Sequence, residues 1–292
     1  MRFRTTSAVL PILTVLLAIL ALWYAGAVWM NAQWARDQAA RAGVEISLSE
    51  IVRDTMSQER PVLPAPHQVA AEFGKTVFGT KVTSKRSLVW HGWVTLSATA
   101  VGFALGSAAG ILLAIGIVHS RAMDLSVMPW AIASQTIPIL AIAPMVIVVL
   151  SSMGVTGLLP KAIISAWLSF FPVVVGMVKG LRAPDAMQLD QLKTWGASRA
   201  QTFWKLRLPA SMPYLFASLK VSVAASLVGA IVGELPAGAT AGLGARLLSG
   251  SYYGQTVMIW AALLAAALLA AALVGLIAAI ERVVLRRMGM AR

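Results

Sequence analysis

Six apolar runs, at about residues 7–30, 92–118, 125–150, 160–181, 213–235 and 255–280, constrain what this chain can fold into. Each is long enough to cross the hydrocarbon core of a bilayer, which takes about 20 residues as a helix. No water reaches that core to satisfy a backbone, so the runs must be helices and the expected fold is all-α and polytopic, with about six transmembrane helices. Composition agrees. Charged residues make up 12% of the 292 and mean hydropathy is +0.79, whereas a soluble domain carries about 25% charged residues.

The net charge of +13 invites a nucleic-acid reading, and its placement removes it. Arg2 and Arg4 precede the first run, Arg121 follows the second, the basic residues from Lys179 to Arg207 follow the fourth, and Arg282, Arg286, Arg287 and Arg292 follow the sixth. With six crossings all of these fall on one side. The positive-inside rule makes that side the cytoplasm, with both termini inside. The 31–88 segment is then external, with eight basic residues against six acidic. The charge excess encodes topology, and no nucleic-acid partner is expected.

Cysteine is absent, which excludes disulfides, thiolate metal sites and a cysteine nucleophile. His67, His91 and His119 are too scattered for a metal site, and no Ser-His-Asp arrangement has a local signature. Gly74-Lys75-Thr76 mimics the end of a phosphate-binding loop, but the motif needs a glycine five positions earlier, where Val69 stands. The chain therefore has no ATP-hydrolysing motif of its own. At the N-terminus, Arg2, Arg4 and the small triplet Ala25-Gly26-Ala27 suggest a signal peptide. The apolar run from Ser7 to Met30 exceeds the 7–15 residues of such a segment, and an uncleaved anchor is expected.

Between the first two runs, residues 31–63 read as soluble, either a short helix or a mobile stretch. Pro61, Pro64 and Pro66 then interrupt any helix. Val69, Ala70, Phe73, Val77 and Phe78 follow at three- and four-residue spacing, predicting a short amphipathic helix at the membrane interface. Trp90 and Trp93 mark the start of the second span. Within that span Gly102, Gly106 and Gly110 make a small-residue face, suited to packing inside the subunit or to a dimer seam. Pro129, Pro138 and Pro144 in the third span predict irregular backbone at membrane depth, tolerated only when buried or facing a cavity, which makes it a pore-lining candidate.

The most specific stretch runs from Leu189-Asp190-Gln191-Leu192-Lys193-Thr194-Trp195-Gly196-Ala197-Ser198 to Phe203-Trp204-Lys205-Leu206-Arg207-Leu208-Pro209. Asp185 and Asp190 stand where a first helix begins, favoured by its dipole. Leu189, Leu192 and Trp195 share an apolar face, Gly196 suits the left-handed residue that ends a helix, and Ser198 with Gln201 has capping-box spacing for the next. Pro209 and Pro213 fit the first turn of the fifth span. The result is a rigid cationic elbow between two spans.

An acidic residue, a glycine six positions on and a Leu-x-Leu-Pro ending resemble the EAA loop of ABC-importer permeases, with Asp190, Gln191 and Leu192 in place of Glu-Ala-Ala. The branch importing nitrate, sulfonates, taurine and thiamine pyrimidine precursors is resembled further. The matching text is Leu63-Pro64-Ala65-Pro66, Trp90-His91, Thr95-Leu96, Pro138 to Pro144, Phe171-Pro172, Gly180-Leu181-Arg182, Gly233-Glu234 and Gly242-Leu243-Gly244. The resemblance covers about residues 60–285 and implies a type I ABC importer permease fold in a bacterial inner membrane. Two permease copies would form the path, a substrate-binding protein would dock outside, and ABC ATPase subunits would bind ATP and magnesium inside. The permease itself would hold no cofactor and break no bond.

On this reading residues 1–30 are an anchor, 31–88 an external loop with its interfacial helix, 89–285 the permease core with a coupling segment at 186–206, and 286–292 a tail. ATPase coupling would fall to Asp190, Leu192, Trp195, Gly196, Ala197, Phe203, Leu206, Leu208 and Pro209. For the translocation path or gate the candidates are Gln135, Thr136 and Pro138 on the proline-rich span, and Ser222, which shares a face with Ser218 and Ser226. Helix–helix hydrogen bonding explains those serines equally well. Glu234, beside the fifth span, is the fifth candidate, as a gate or as a structural partner, because a charge at membrane depth must face protein or water. Lys220 reads as a snorkelling side chain. The rival reading, a secondary transporter or channel, calls for internal repeats and midplane charges, which the sequence lacks.

Overall fold

The computed structural model describes residues 6–236 and 239–290. Arg2, Arg4 and Arg292 lie outside them, as do Ala237 and Gly238 of the glycine-rich loop at 236–244, between the fifth and sixth apolar runs. Among the described residues the secondary structure is entirely helical, as the apolar runs require. One compact unit takes the residues up to Trp90 together with Arg246–Ala265, and a second takes His91–Ala245 and Ala266–Arg292.

In the first unit, α1 (Thr6–Ala42) continues well beyond the apolar run, and α2 (Leu48–Thr55) and α3 (Pro66–Val77) follow. Nothing between Met30 and Ala42 breaks a helix, so the stretch read as soluble begins as its polar continuation. Ala27, in the triplet that resembled a cleavage site, is fully buried mid-helix. The three prolines preclude helix between α2 and α3, and their neighbourhood is pinned by its carbonyls. Trp23 Nε1 donates to Pro64 O at 3.0 Å and Asn31 Nδ2 to Leu63 O at 2.8 Å, while Asn31 Oδ1 accepts from Val62 N at 2.7 Å. Thr256 Oγ1, at the start of α12 (Thr256–Arg287), donates to Pro61 O. Pro66 opens α3 at a position where a missing amide costs nothing, and Val69 is buried.

The second unit is built on α4 (Leu88–His119), from His91 onward, with α7 (Leu158–Leu181) and α10 (Leu208–Gly233). Its small residues pack within the subunit: a Cβ on Gly102 would strike Ser165, one on Gly106 would strike Ser169, and one on Gly110 would meet Phe170 and Val173. Close approach lets the serines bond across helices. Ser222 Oγ donates to Ser169 O at 2.7 Å, Ser226 Oγ to Thr99 O at 2.9 Å, and Ser165 Oγ to Ser226 O at 2.7 Å. In an apolar surrounding such bonds and contacts replace the hydrophobic effect as the force holding helices together. Lys220 does not snorkel. It pairs with Glu281 on α12 at 2.8 Å, a partner 61 positions away.

The third span is broken. Helices α5 (Arg121–Ser134) and α6 (Ile139–Ser152) meet at 98°, because Pro138 keeps Ile137 out of the helical region. Among the described residues five helices are long and apolar enough to cross a membrane, and the bent pair makes a sixth candidate. Its two ends lie beside opposite ends of α7. Asp124 on α5 pairs with Arg182, just past the C-terminus of α7, at 3.0 Å. At the other end, Ile147 and Ser151 of α6 line a cavity with Gly157 and Lys161 at the N-terminus of α7. The pair therefore travels the length of α7, roughly 36 Å at 1.5 Å per residue.

Candidate functional site

The segment after α7 folds into α8 (Ala186–Thr194) and α9 (Arg199–Thr202). Asp185 is the N-cap of α8 and its amide donates to Gln188 Oε1 at 3.2 Å, while Gly196 follows with φ of 71°, the left-handed conformation that turns the chain. Ser198 then caps α9, with its amide donating to Gln201 Oε1 at 2.8 Å and its hydroxyl accepting from Gln201 N at 3.2 Å. Asp190 departs from expectation: it sits in the middle of α8, away from the first turn, and pairs with Lys193 at 2.8 Å.

Helix α9 is the beginning of a longer rod. A π turn at Phe203–Arg207 joins it to α10, and the helical run from Arg199 to Gly233 is uninterrupted. The Leu208 amide reaches back five residues to Phe203 O. That widened turn accommodates Pro209, which lacks a donor and would crowd an ordinary turn. Pro209 and Pro213 thus lie inside the rod, and the fifth span begins well before the first turn expected for it.

The candidate coupling residues divide by what they touch. Phe203 and Leu208 pack against the core that contains Met177, Val178 and Leu181, and Phe203 lies edge-on to His119, with centroids 5.3 Å apart. Leu206 and Pro209 are half-buried, as are Leu192 and Ala197. Asp190 and Gly196 face outward, and Trp195 is 71% exposed. Two further apolar side chains join it, Met187 at 81% and Trp204 at 66%. Both were readable as large apolar residues in a polar segment. The elbow is rooted at one end and offers an unsatisfied apolar surface at the other.

At the far end of α10, Glu234 is the C-cap and is completely buried. Thr95 Oγ1 lies 3.0 Å from its Oε1 and 2.9 Å from its Oε2, and Gly244 N donates to Oε2 at 2.9 Å. The same Thr95 oxygen accepts from Leu243 N at 2.8 Å, and His91 Nδ1 accepts from Gly242 N at 3.0 Å. Lys161 Nζ donates to Ala241 O at 3.2 Å. Glu234 therefore contacts the Gly-rich loop, through a knot that joins α4, α10 and the start of α11 (Leu243–Tyr252). Gly242 has φ of 123°, and a Cβ there would collide with the Glu234 carboxylate. Thr95 and His91 fall in the text that resembles the nitrate and sulfonate branch but were not among the site candidates. Their four-residue spacing puts them on one helical face.

The other path candidates separate. Gln135, Thr136 and Pro138 are exposed at the bend of the α5–α6 pair, where backbone is irregular. Ser222 is not on an open face: it is fully buried between α7 and α10, with its hydroxyl committed to Ser169. Here it bonds one helix to another.

Residues 106–290 match the family described as the binding-protein-dependent transport system inner membrane component. That stretch takes in the bent pair, the elbow and Glu234. The chain belongs to this family. The permease is also similar to curated relatives along most of their length. It is 31% identical over 183 residues to the formylaminopyrimidine transport permease of Halalkalibacterium halodurans, covering 63% of this chain and 68% of the relative. With the riboflavin transport system permease of Chloroflexus aurantiacus it shares 30% over 226 residues, covering 77% and 80%. A putative aliphatic sulfonates permease of Bacillus subtilis is 25% identical over 203 residues, covering 70% of each. The permease is thus the inner-membrane component of a binding-protein-dependent ABC transport system, in the branch that the sequence resembles. A secondary transporter or channel is set aside by this membership, and the chain's part is to form a path rather than to catalyse a reaction.

Proposed function

We propose that the permease forms, with a second permease copy, the path for a small solute released by an extracytoplasmic binding protein, and that ABC ATPases drive it through residues 186–206. The observation that carries the reading is the exposed, doubly capped elbow continuous with α10. Trp195, Trp204 and Met187 supply apolar contact area, Asp190 and Lys193 a polar rim, and Phe203 and Leu208 the root. When ATP and magnesium close the ATPase pair, the elbows are drawn together. A helical rod of 35 residues, roughly 52 Å long, then carries the displacement to Glu234 and the Gly-rich loop. In this scheme Glu234 holds the outer gate, and the exposed bend at Gln135, Thr136 and Pro138 faces the path. Affinity-tagged permease extracted from its native membrane is expected to bring an ABC ATPase with it, and the Trp195→Asp, Trp204→Asp double variant to lose it. Equal recovery from both proteins would remove the elbow as the docking surface.

The topology that goes with this function has both termini and the elbow in the cytoplasm, with 31–88 and the loop before α12 outside. The basic residues at Arg121, Lys179 to Arg207 and Arg282 to Arg287 support it, as does a bent pair that spans the length of α7. Continuity of α1 through Ala27 supports a retained anchor. The native chain has no cysteine, so single cysteines at Gln38 and Ser198 report cleanly. In intact cells an impermeant maleimide should label position 38 and spare position 198, with both labelled after permeabilisation. The reverse pattern would invert the topology.

A further inference from the structure

The first unit contains a cavity of about 650 Å³ whose lining includes none of the path candidates. Glu59, Arg60, Glu72, Lys75, Arg86 and Arg246 line it, four cations against two carboxylates. No ion pair within 4.0 Å engages any of the six among the described residues. Arg246 Nε is buried and has no hydrogen-bond partner. Burial draws this guanidinium below its usual basicity, with Glu72 opposing. A buried donor without an acceptor is uncommon in a folded protein and asks for a partner from outside.

We propose that this pocket receives an acidic segment of the extracytoplasmic binding protein. The inference rests on the topology and partners given above, because both contributing stretches, before α4 and between α10 and α12, are external only in that arrangement. Charge is the first argument: unpaired guanidinium and ammonium groups favour carboxylates, and an arginine fork binds them bidentately. Size is the second. The volume falls in the range that holds a ligand of many atoms, about 300–1,000 Å³, so a short stretch of chain fills it better than a lone oxyanion. Position is the third. Five of the six charged side chains precede the family-matched residues 106–290, in the 31–88 stretch that this topology puts on the face where a binding protein docks. Charge complementarity at such a place sets which partner docks and how fast.

A photo-crosslinking amino acid at Tyr253, which is exposed on the pocket lining, tests this in cells making the whole transporter. The expected adduct is the binding protein, joined through a peptide bearing Asp or Glu. With that binding protein purified and the transporter in phosphatidylcholine nanodiscs, the Lys75→Gln, Arg86→Gln variant should raise Kd at least tenfold at low salt. Both residues are exposed, so the fold is not at risk. Arg246→Gln should weaken binding further. An adduct to lipid alone, an adduct through a segment without acidic residues, no adduct, or an unchanged Kd would each overturn the proposal, as would occupancy by glutarate without any effect of the charge variants. A second crosslinker at Trp195 separates the failures. If it captures the ATPase while Tyr253 captures no binding protein, only the pocket is lost; if neither captures its partner, the transporter reading falls with it.

Discussion

Replacing Gly196 with valine is expected to abolish transport-coupled ATP hydrolysis while leaving membrane insertion intact. The residue has φ of 71°, and a Cβ there would meet nothing within 4 Å. Steric collision is therefore not the cause. The penalty is in the backbone, where a left-handed conformation costs an ordinary residue about 1–2 kcal/mol and a branched one more. Relief comes from turning α8 away from α9, which is easy because α8 has no buried residue. The apolar surface then points elsewhere, and an ATPase bound to it no longer pushes on α10. Asparagine tolerates the left-handed region, so Gly196→Asn should keep most of the coupling. Coupled hydrolysis in reconstituted transporter, measured for both variants at matched assembly, decides the matter. Normal coupling in the valine variant would sink the elbow mechanism, and equal loss in both variants would mean that the side chain at 196 matters rather than the conformation.

Why the elbow was legible and the knot around Glu234 was not is a question of range. Asp185 with Gln188, Gly196, and Ser198 with Gln201 are local codes, each written within a few residues, and each is found in the geometry it implies. The spans are legible for the same reason, since a long apolar helix satisfies its own backbone. The π turn was not, because Pro209 permits either a helix start or a widened turn, and packing of Phe203 and Leu208 against the core selects the second. Likewise Pro138 signals irregular backbone, but the 98° bend depends on what α5 and α6 pack against. Side chains that meet across the fold leave no local trace. Lys220 finds Glu281 61 positions away, and Thr95 finds Glu234 139 positions away. A serine at helical spacing reads the same whether it faces a pore or a neighbouring helix, which is why the sequence left Ser222 open between the two.

Glu234→Gln is the second substitution with a large expected effect, and the knot around it explains why transport should suffer more than folding. Glutamine can turn its oxygen to Gly244 N and its amide to Thr95 Oγ1. The threonine proton then has another acceptor in His91 O, 3.1 Å away. Every group that the carboxylate satisfied keeps a partner, so assembly should survive. What is lost is a charged acceptor, and hydrogen bonds to charged groups contribute about 1.5–3 kcal/mol against about 0.5–1.5 kcal/mol for neutral ones. A difference of about 1.4 kcal/mol shifts a two-state population roughly tenfold. An importer must pass through both gate states in every cycle, and such a shift slows whichever step becomes uphill. Uptake per assembled complex should therefore fall several-fold, approaching tenfold. Gly242→Ala, which drives a Cβ into the carboxylate at φ of 123°, should instead impair assembly itself and so marks what purely structural damage looks like. If Glu234→Gln resembles that variant in assembly and its surviving complexes transport at the native rate, the carboxylate is a structural pin and the gating role is gone.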